Sequence, residues 1–237
     1  MATIRGPKIP TSGLILFLDP IARGSYSGSG TTWYDVSGNQ NYATITNTTG
    51  SPYSSSNGGY FTLDGVNDYI VTNNSLNPQL TLAYTDASFL MWVYPTSAGQ
   101  ILCELGSTTP NASYHASLIE INSSAVMSLR LYGATTPITS SGLSFNNWYL
   151  ICLSYNGSTL TAYINGSSIG TSTFTRATPI TLGFGATHYG LCATDSTNMG
   201  TQGYAGARIA NFAIYNRALS LYEIVQYFNG TRRRFSL

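Results

Sequence analysis

The chain has 237 residues, 8% of them charged, and a net charge of +1. So little charge gives no electrostatic basis for a nucleic-acid partner, and without a long apolar run no membrane insertion is expected. Ser, Thr, Asn and Gly supply the polarity, 18 Tyr supply much of the aromatic content, and one all-β sandwich core commonly uses this whole length.

Residues 1–12, with Pro7 and Pro10, read as an extended N-terminal arm whose cations Arg5 and Lys8 are candidates for docking a partner. The opening "MATIRGPKIP" lacks the apolar stretch of an export signal, and "LILFL" is too short for one and runs straight into Asp19. "GLILFLD" is the first predicted strand. The region from Pro20 to Gly59 is mostly turn chemistry, and Trp33 is its expected anchor.

Beyond it come "GYFTLDG", "DYIVTN", "ASFLMWVYP", "QILCELG", "HASLIEIN" and "AVMSLRLYG", short β-rich runs separated by Gly, Asn, Pro and Ser. In "NNWYLICLSYNGSTLTAYINGSSIG" a period of two is apolar on both faces, which predicts an interior strand. Asn156-Gly157 and Asn165-Gly166 then supply two tight turns of an antiparallel meander. "PITLGFG" and "GARIANFAIYN" complete the strand series.

A helix is predicted after Ser220, which forms a capping box with Glu223; Leu221, Ile224, Val225 and Phe228 repeat at helical spacing and Gly230 closes it. Arg232, Arg233 and Arg234 form the only charge run, read as a solvated basic tail over 231–237, with docking to an acidic groove as the sharper alternative. The predicted fold class is all-β, an antiparallel two-sheet jelly-roll sandwich over 13–230 with one short C-terminal helix.

Several chemistries find little support. Cys103, Cys152 and Cys192 read as buried thiols and not as a disulfide framework or metal site. Glu104 and Glu120 have no second acid two or four residues away and Glu223 is taken by the cap, which argues against a retaining glycosidase; no catalytic residue is assigned. His115 and His188 are isolated from any ligand spacing. No cofactor is expected. Calcium has weak candidates in Asp35, Asn39, Asp64 and Asp68, but "DGVND" lacks the dense spacing of a calcium loop, and Asx turns account for Asp35 and Asp64 equally well. Sugar binding needs exposed aromatics beside hydroxyls, for which Tyr132, Tyr189 and Tyr204 are the candidates, while Trp92 and Trp148 lie in apolar runs and read as core.

Taken in order, "GLILFLD", "TTWYDVSGNQNYATI", "GGYFTLDGVNDYI", "SFLMWVYP", the meander and "GARIANFAIYNRALSLYEI" resemble the laminin-G-like, concanavalin A-like β-sandwich superfamily. The arm, "SYSGSGTTWYDVSG" and the closing "IYNRALSLYEIVQYFNGTRRRFSL" are more narrowly similar to single-domain members encoded by tailed bacteriophages. That resemblance implies a virion structural protein, assembled in the host cytoplasm without a signal peptide. It would decorate or cement the particle through contacts with other virion proteins such as the major capsid protein, and would self-associate. The alternative it leaves open is a lectin-like adhesin recognising host surface glycans. Where many family members carry an acidic pair just before the last strand, this chain has Ala210-Asn211.

Overall fold

Alternation along each strand sorts side chains to two faces, and the faces stack into layers. The computed structural model describes residues 9–46, 48, 50–72, 86–98, 100–107, 116–122, 124–131, 136–173, 187–191 and 205–237. Its strands are β1 (Leu14–Leu18), β2 (Thr32–Tyr34), β3 (Tyr42–Thr46), β4 (Tyr53–Ser54), β5 (Tyr60–Asp64), β6 (Tyr69–Thr72), β7 (Ala87–Pro95) and β8 (Gln100–Ser107). They continue as β9 (Ala116–Ile121), β10 (Met127–Leu129), β11 (Ile138–Thr139), β12 (Tyr149–Tyr155), β13 (Thr159–Ile164), β14 (Ser167–Thr173), β15 (Thr187–Leu191) and β16 (Gly206–Tyr215), followed by helix α1 (Leu221–Thr231).

The first sheet runs β14-β13-β12-β7-β16-β5-β4, and β1 joins it through β16; the second runs β11-β10-β9-β8-β15-β6-β3-β2. Along one edge of β16, β5 pairs with Gly206–Ile209 and β1 with Phe212–Tyr215. Between those two partners the register against β7 shifts, so Ala210 is the extra residue of a β-bulge. Asn211, beside it, is fully buried, and its side-chain oxygen accepts from Trp92 N at 3.4 Å. The pair expected just before the last strand therefore sits inside it, at the bulge.

One hydrophobic cluster fills the space between the sheets and includes Leu16, Trp33, Phe61, Phe89, Ile119, Ile151 and Phe212. A second lies on the outer face of the first sheet, where Leu90, Trp92, Trp148, Leu150, Cys152 and Tyr215 meet Ile224, Tyr227 and Phe235. Strand β12 is apolar on both faces because it separates the two clusters, as the period-two pattern predicts. Trp33, Trp92 and Trp148 are all core residues, though the latter two belong to the outer cluster.

The capping box is present, with Ser220 Oγ accepting from Glu223 N and the Glu223 carboxylate accepting from Ser220 N. Arg217 also pairs with Glu223, and that pairing, with the cap, holds its carboxyl down at about 2. Two details differ from expectation. The helix turns Ile224 and Tyr227 inward and leaves Leu221 53% exposed, so the buried face is rotated from the one the spacing suggests. Gly230 lies inside the helix, and the chain continues as a 3-10 turn over Arg232–Phe235 before Ser236 adopts the left-handed conformation at φ 60°.

That continuation corrects the reading of a solvated tail. Arg232 and Arg233 are exposed, but Arg234 pairs with Asp19 at 2.7 Å and Phe235 is buried. At the other terminus, Tyr215 Oη donates to Pro10 O and Arg217 Nε to Ser12 O, so the last residues of the arm are tied to the body.

Gly65, in the turn joining β5 to β6, has φ 77°, and a Cβ there would lie 2.7 Å from Gly206 N. Gly65→Ala is expected to cost about 2–4 kcal/mol, backbone strain plus displacement of β16. Gly28→Ala makes the matched control: its φ is 93° but a Cβ would meet nothing within 4 Å, so only the conformational cost, about 1 kcal/mol, should appear in urea denaturation.

Candidate functional site

Helix α1 and the C-terminal turn cover much of the outer face of the first sheet, whereas the outer face of the second presents a run of exposed side chains in register. In β2, β3 and β6 the residues Trp33, Ala43, Ile45 and Ile70 are buried and their neighbours point the other way. Tyr34 stands directly opposite Tyr42, Thr32 opposite Thr44, Thr44 opposite Val71 and Thr46 opposite Tyr69. Tyr34 is 53% and Tyr42 43% exposed, the largest aromatic exposures among the described residues apart from Tyr222 on the helix. The result is a ribbon of tyrosine rings and threonine hydroxyls on three paired strands.

On the far flank Glu120, Ser128 and Thr139 form a row across β9, β10 and β11. The Glu120 carboxylate lies 3.7 Å from Arg130, so it faces a cation. Where the segment leading into β2 of one sheet approaches the one leading into β4 of the other, a surface pocket of about 250 Å³ is lined by Tyr26, Ser29, Gly30, Thr31, Thr48, Gly50, Ser51 and Pro52. Every lining residue is uncharged. Tyr26 is fixed there by ring contacts to Tyr53 at 5.1 Å and Phe61 at 4.8 Å, and its hydroxyl donates to Gly30 O. The pocket falls just below the usual range of small-molecule sites, about 300–1,000 Å³, and suits a single ring.

The calcium candidates fall into two separate turns. Asp35 accepts from Phe17 N and Ser37 N through Oδ1 and from Ser37 Oγ and Asn41 N through Oδ2, while Asn39 Nδ2 donates to Leu14 O and Ile15 O. These bonds fasten the loop to β1. Asp64 Oδ1 accepts from the backbone of Val66, Asn67 and Asp68, bonds that hold its carboxyl below the ordinary value. Asp68 Oδ2 accepts from Asp64 N, and burial pushes its carboxyl up; its Oδ1 is buried without a hydrogen-bond partner among the described residues. The Asx-turn reading accounts for both turns. Among the described residues, no three His, Cys, Asp or Glu side chains gather where they could hold a metal.

Arg5, Lys8, Tyr132, Tyr204, His115 and Cys192 lie outside the described residues. Tyr189 and His188 lie in β15 with their backbones opposite Leu105 and Gly106, and Cys103 and Glu104 lie in β8; their side chains are likewise outside the description. Cys152 is buried, and burial drives its thiol far up in pKa, leaving it an inert apolar group. Sequence reasoning missed Tyr34, Tyr42 and Tyr69. The signal was present in "TTWYDV", where Trp33 inward requires Tyr34 outward, but the pairing partner across the loop was needed to see a ribbon.

The Laminin_G_3 family model, described as the concanavalin A-like lectin/glucanases superfamily, matches residues 63–225. No curated protein matches the chain significantly. Among solved structures, Trypanosoma rangeli sialidase in complex with sialic acid superposes with TM-score 0.65 at 18% identity, over 96% of this chain and 36% of that one. The Botulinum neurotoxin serotype D binding domain gives TM-score 0.63 at 17% identity, over 93% of this chain and 51% of that one. The binding domain of Botulinum neurotoxin DC in complex with SialylT gives 0.65 at 17%, over 93% and 52%. The chain thus spans about a third to a half of the length of these structures, and the likeness is one of fold.

Proposed function

We propose that this chain, which belongs to the concanavalin A-like lectin/glucanases superfamily, is a non-catalytic recognition module that binds neutral carbohydrate on the open face of its second sheet. The observation that carries the reading is the exposed Tyr34–Tyr42 pair, opposite each other across β2 and β3 with threonines in adjoining register. Flat rings beside hydroxyls suit sugars, whose faces are apolar and whose edges form hydrogen bonds. The pocket at the other end of the β2–β3 hairpin offers hydroxyls and backbone groups of the same neutral kind. Structures that share the fold include ones solved with sialic acid and with SialylT, which supports a glycan ligand without identifying it.

Glu120 faces Arg130 and Glu223 is held by the cap and Arg217, so neither is arranged as half of an acid and nucleophile pair. Hence contact, not turnover, is the proposed mode of action. The virion placement expected from the narrower sequence resemblance supplies a setting in which the open sheet faces host glycans while the arm and one sandwich edge dock to the particle. Copy number and position on purified particles would distinguish a decoration protein, present in hundreds of copies, from a tail-tip adhesin.

Replacing both rings, Tyr34→Ala with Tyr42→Ala, is expected to reduce binding to a neutral-glycan array at least about tenfold while costing about 1 kcal/mol of stability or less, because both rings are largely outside the core. Unchanged binding by the double variant would overturn this face as the site.

A further inference from the structure

On the opposite side of the sandwich, at the end of the first sheet that the helix leaves open, Arg208 of β16 lies between two tyrosines. Its guanidinium carbon is 4.5 Å from the ring centre of Tyr94 and 5.2 Å from that of Tyr60. Tyr94 is its direct partner on β7, and Thr62, exposed, is its partner on β5. Trp148 backs the tyrosines, 5.4 Å from Tyr94 and 5.7 Å from Tyr60.

The contrast with the other packed arginines is chemical. Arg234 spends its donors on Asp19 and three carbonyls, and Arg217 on Glu223 and two carbonyls. Arg208 has no ion-pair or hydrogen-bond partner for its guanidinium among the described residues. It is half-buried, and its nitrogens are not among the buried unpartnered atoms, so the donors face solvent. A guanidinium held by two ring faces has already lost the side-chain freedom that binding would otherwise remove, and its fork matches a carboxylate in two-point contact. Asp64, two residues beyond Thr62 on the same strand, turns its Oδ1 into its own loop and forms no ion pair with Arg208.

We infer that Arg208, clasped by Tyr60 and Tyr94 beside Thr62, is a second ligand site that binds a carboxylate-bearing sugar residue. The sugar class rests on the carbohydrate reading above; the acidic character rests on Arg208 alone. The flanking hydroxyls and aromatic edges favour a ring with hydroxyls over a bare anion.

The test titrates oligogalacturonate, its methyl ester and a hexaglutamate peptide against the protein by calorimetry. Wild type should bind the acid at least about tenfold more tightly than the ester, Arg208→Gln should bring the ratio to about one, and Arg208→Lys should fall between. The Arg208 Nε–H resonance of the wild type should shift with the acid and not with the ester, a readout that survives if the variants fold poorly. Equal affinity for acid and ester, an unchanged ratio in Arg208→Gln, or hexaglutamate binding as tightly as the sugar would overturn the proposal. The Tyr34 and Tyr42 double variant separates the two readings: it should lose neutral glycans yet keep the acid-to-ester ratio.

Discussion

Phe235→Ala is expected to destabilise the protein by about 3–5 kcal/mol, as large as any single aromatic deletion from a packed core. The residue is the third from the end of the chain, where side chains usually count for little. Here its ring is 4.2 Å from Trp92 and 4.5 Å from Trp148, and it is 5% exposed. Deleting it opens a void against two indoles on the outer face of the first sheet, and the surrounding strands are paired on both sides and cannot collapse into it. The same loss frees the end of the helix, since Trp92 Nε1 donates to Thr231 Oγ1 one turn earlier. Tryptophan emission should shift to the red in the folded variant. Leu237→Ala, at a residue 45% exposed, should cost well under about 1 kcal/mol by urea denaturation, and equal effects at the two positions would show that the terminus is not part of the core.

Much of the fold is legible in the sequence because strand faces repeat every two residues and the repeat survives without knowledge of partners. β12 reads as interior, and it is. Asn165-Gly166 has both residues at positive φ, 52° and 79°, the pair required by a two-residue hairpin. Asn156-Gly157 looks identical but is not: only Gly157 has positive φ, and Asn156 Oδ1 instead accepts from Ser158 N and Thr159 N. A local pattern fixes that a turn occurs, whereas its type depends on loop length. The rotated helix face has a similar cause. Leu221 fits the periodicity, yet it and Tyr222 are exposed in the first turn, and Tyr227, with a polar tip, takes a buried position.

Long-range pairing is what the sequence conceals. Nothing near Arg234 announces Asp19, 215 residues away, and nothing near Tyr34 announces Tyr42 except knowledge that β2 and β3 are neighbours. Of the candidate site residues, those that titrate or ligate were sought by local spacing, and Asp35 and Asp64 indeed serve their own turns. The aromatic ribbon and the Arg208 clasp arise from register across strands, so only the assembled sheets display them.

Arg234→Met should cost about 3–5 kcal/mol near neutral pH, because it leaves Asp19 buried without its counterion. The guanidinium spans Asp19 Oδ2 at 2.7 Å and Oδ1 at 3.2 Å and also donates to Gly58 O at 2.8 Å, stapling the C-terminal turn to the end of β1 and to the loop before β5. Burial already raises the Asp19 carboxyl above its ordinary value, and Arg234 only partly offsets this. A carboxyl whose folded pKa lies above its unfolded one binds more protons in the folded state between the two values, so its contribution to stability falls as pH rises through that window and is constant above it. Removing Arg234 drives the folded pKa higher still and widens the window. The gap in stability between wild type and Arg234→Met should therefore be greatest near neutrality and shrink as pH falls towards about 4, where Asp19 enters the folded core uncharged. Glu223, held at about 2 by Arg217 and the cap, acts in the opposite sense but equally in both proteins, so it cancels from the difference. Adding Asp19→Asn to Arg234→Met should recover most of the loss at neutral pH and abolish its pH dependence. A gap that stays constant from neutrality to acid would mean that Asp19 is not charged in the fold, and the staple would then be a matter of hydrogen bonds to the carbonyls of Gly58 and Gly59.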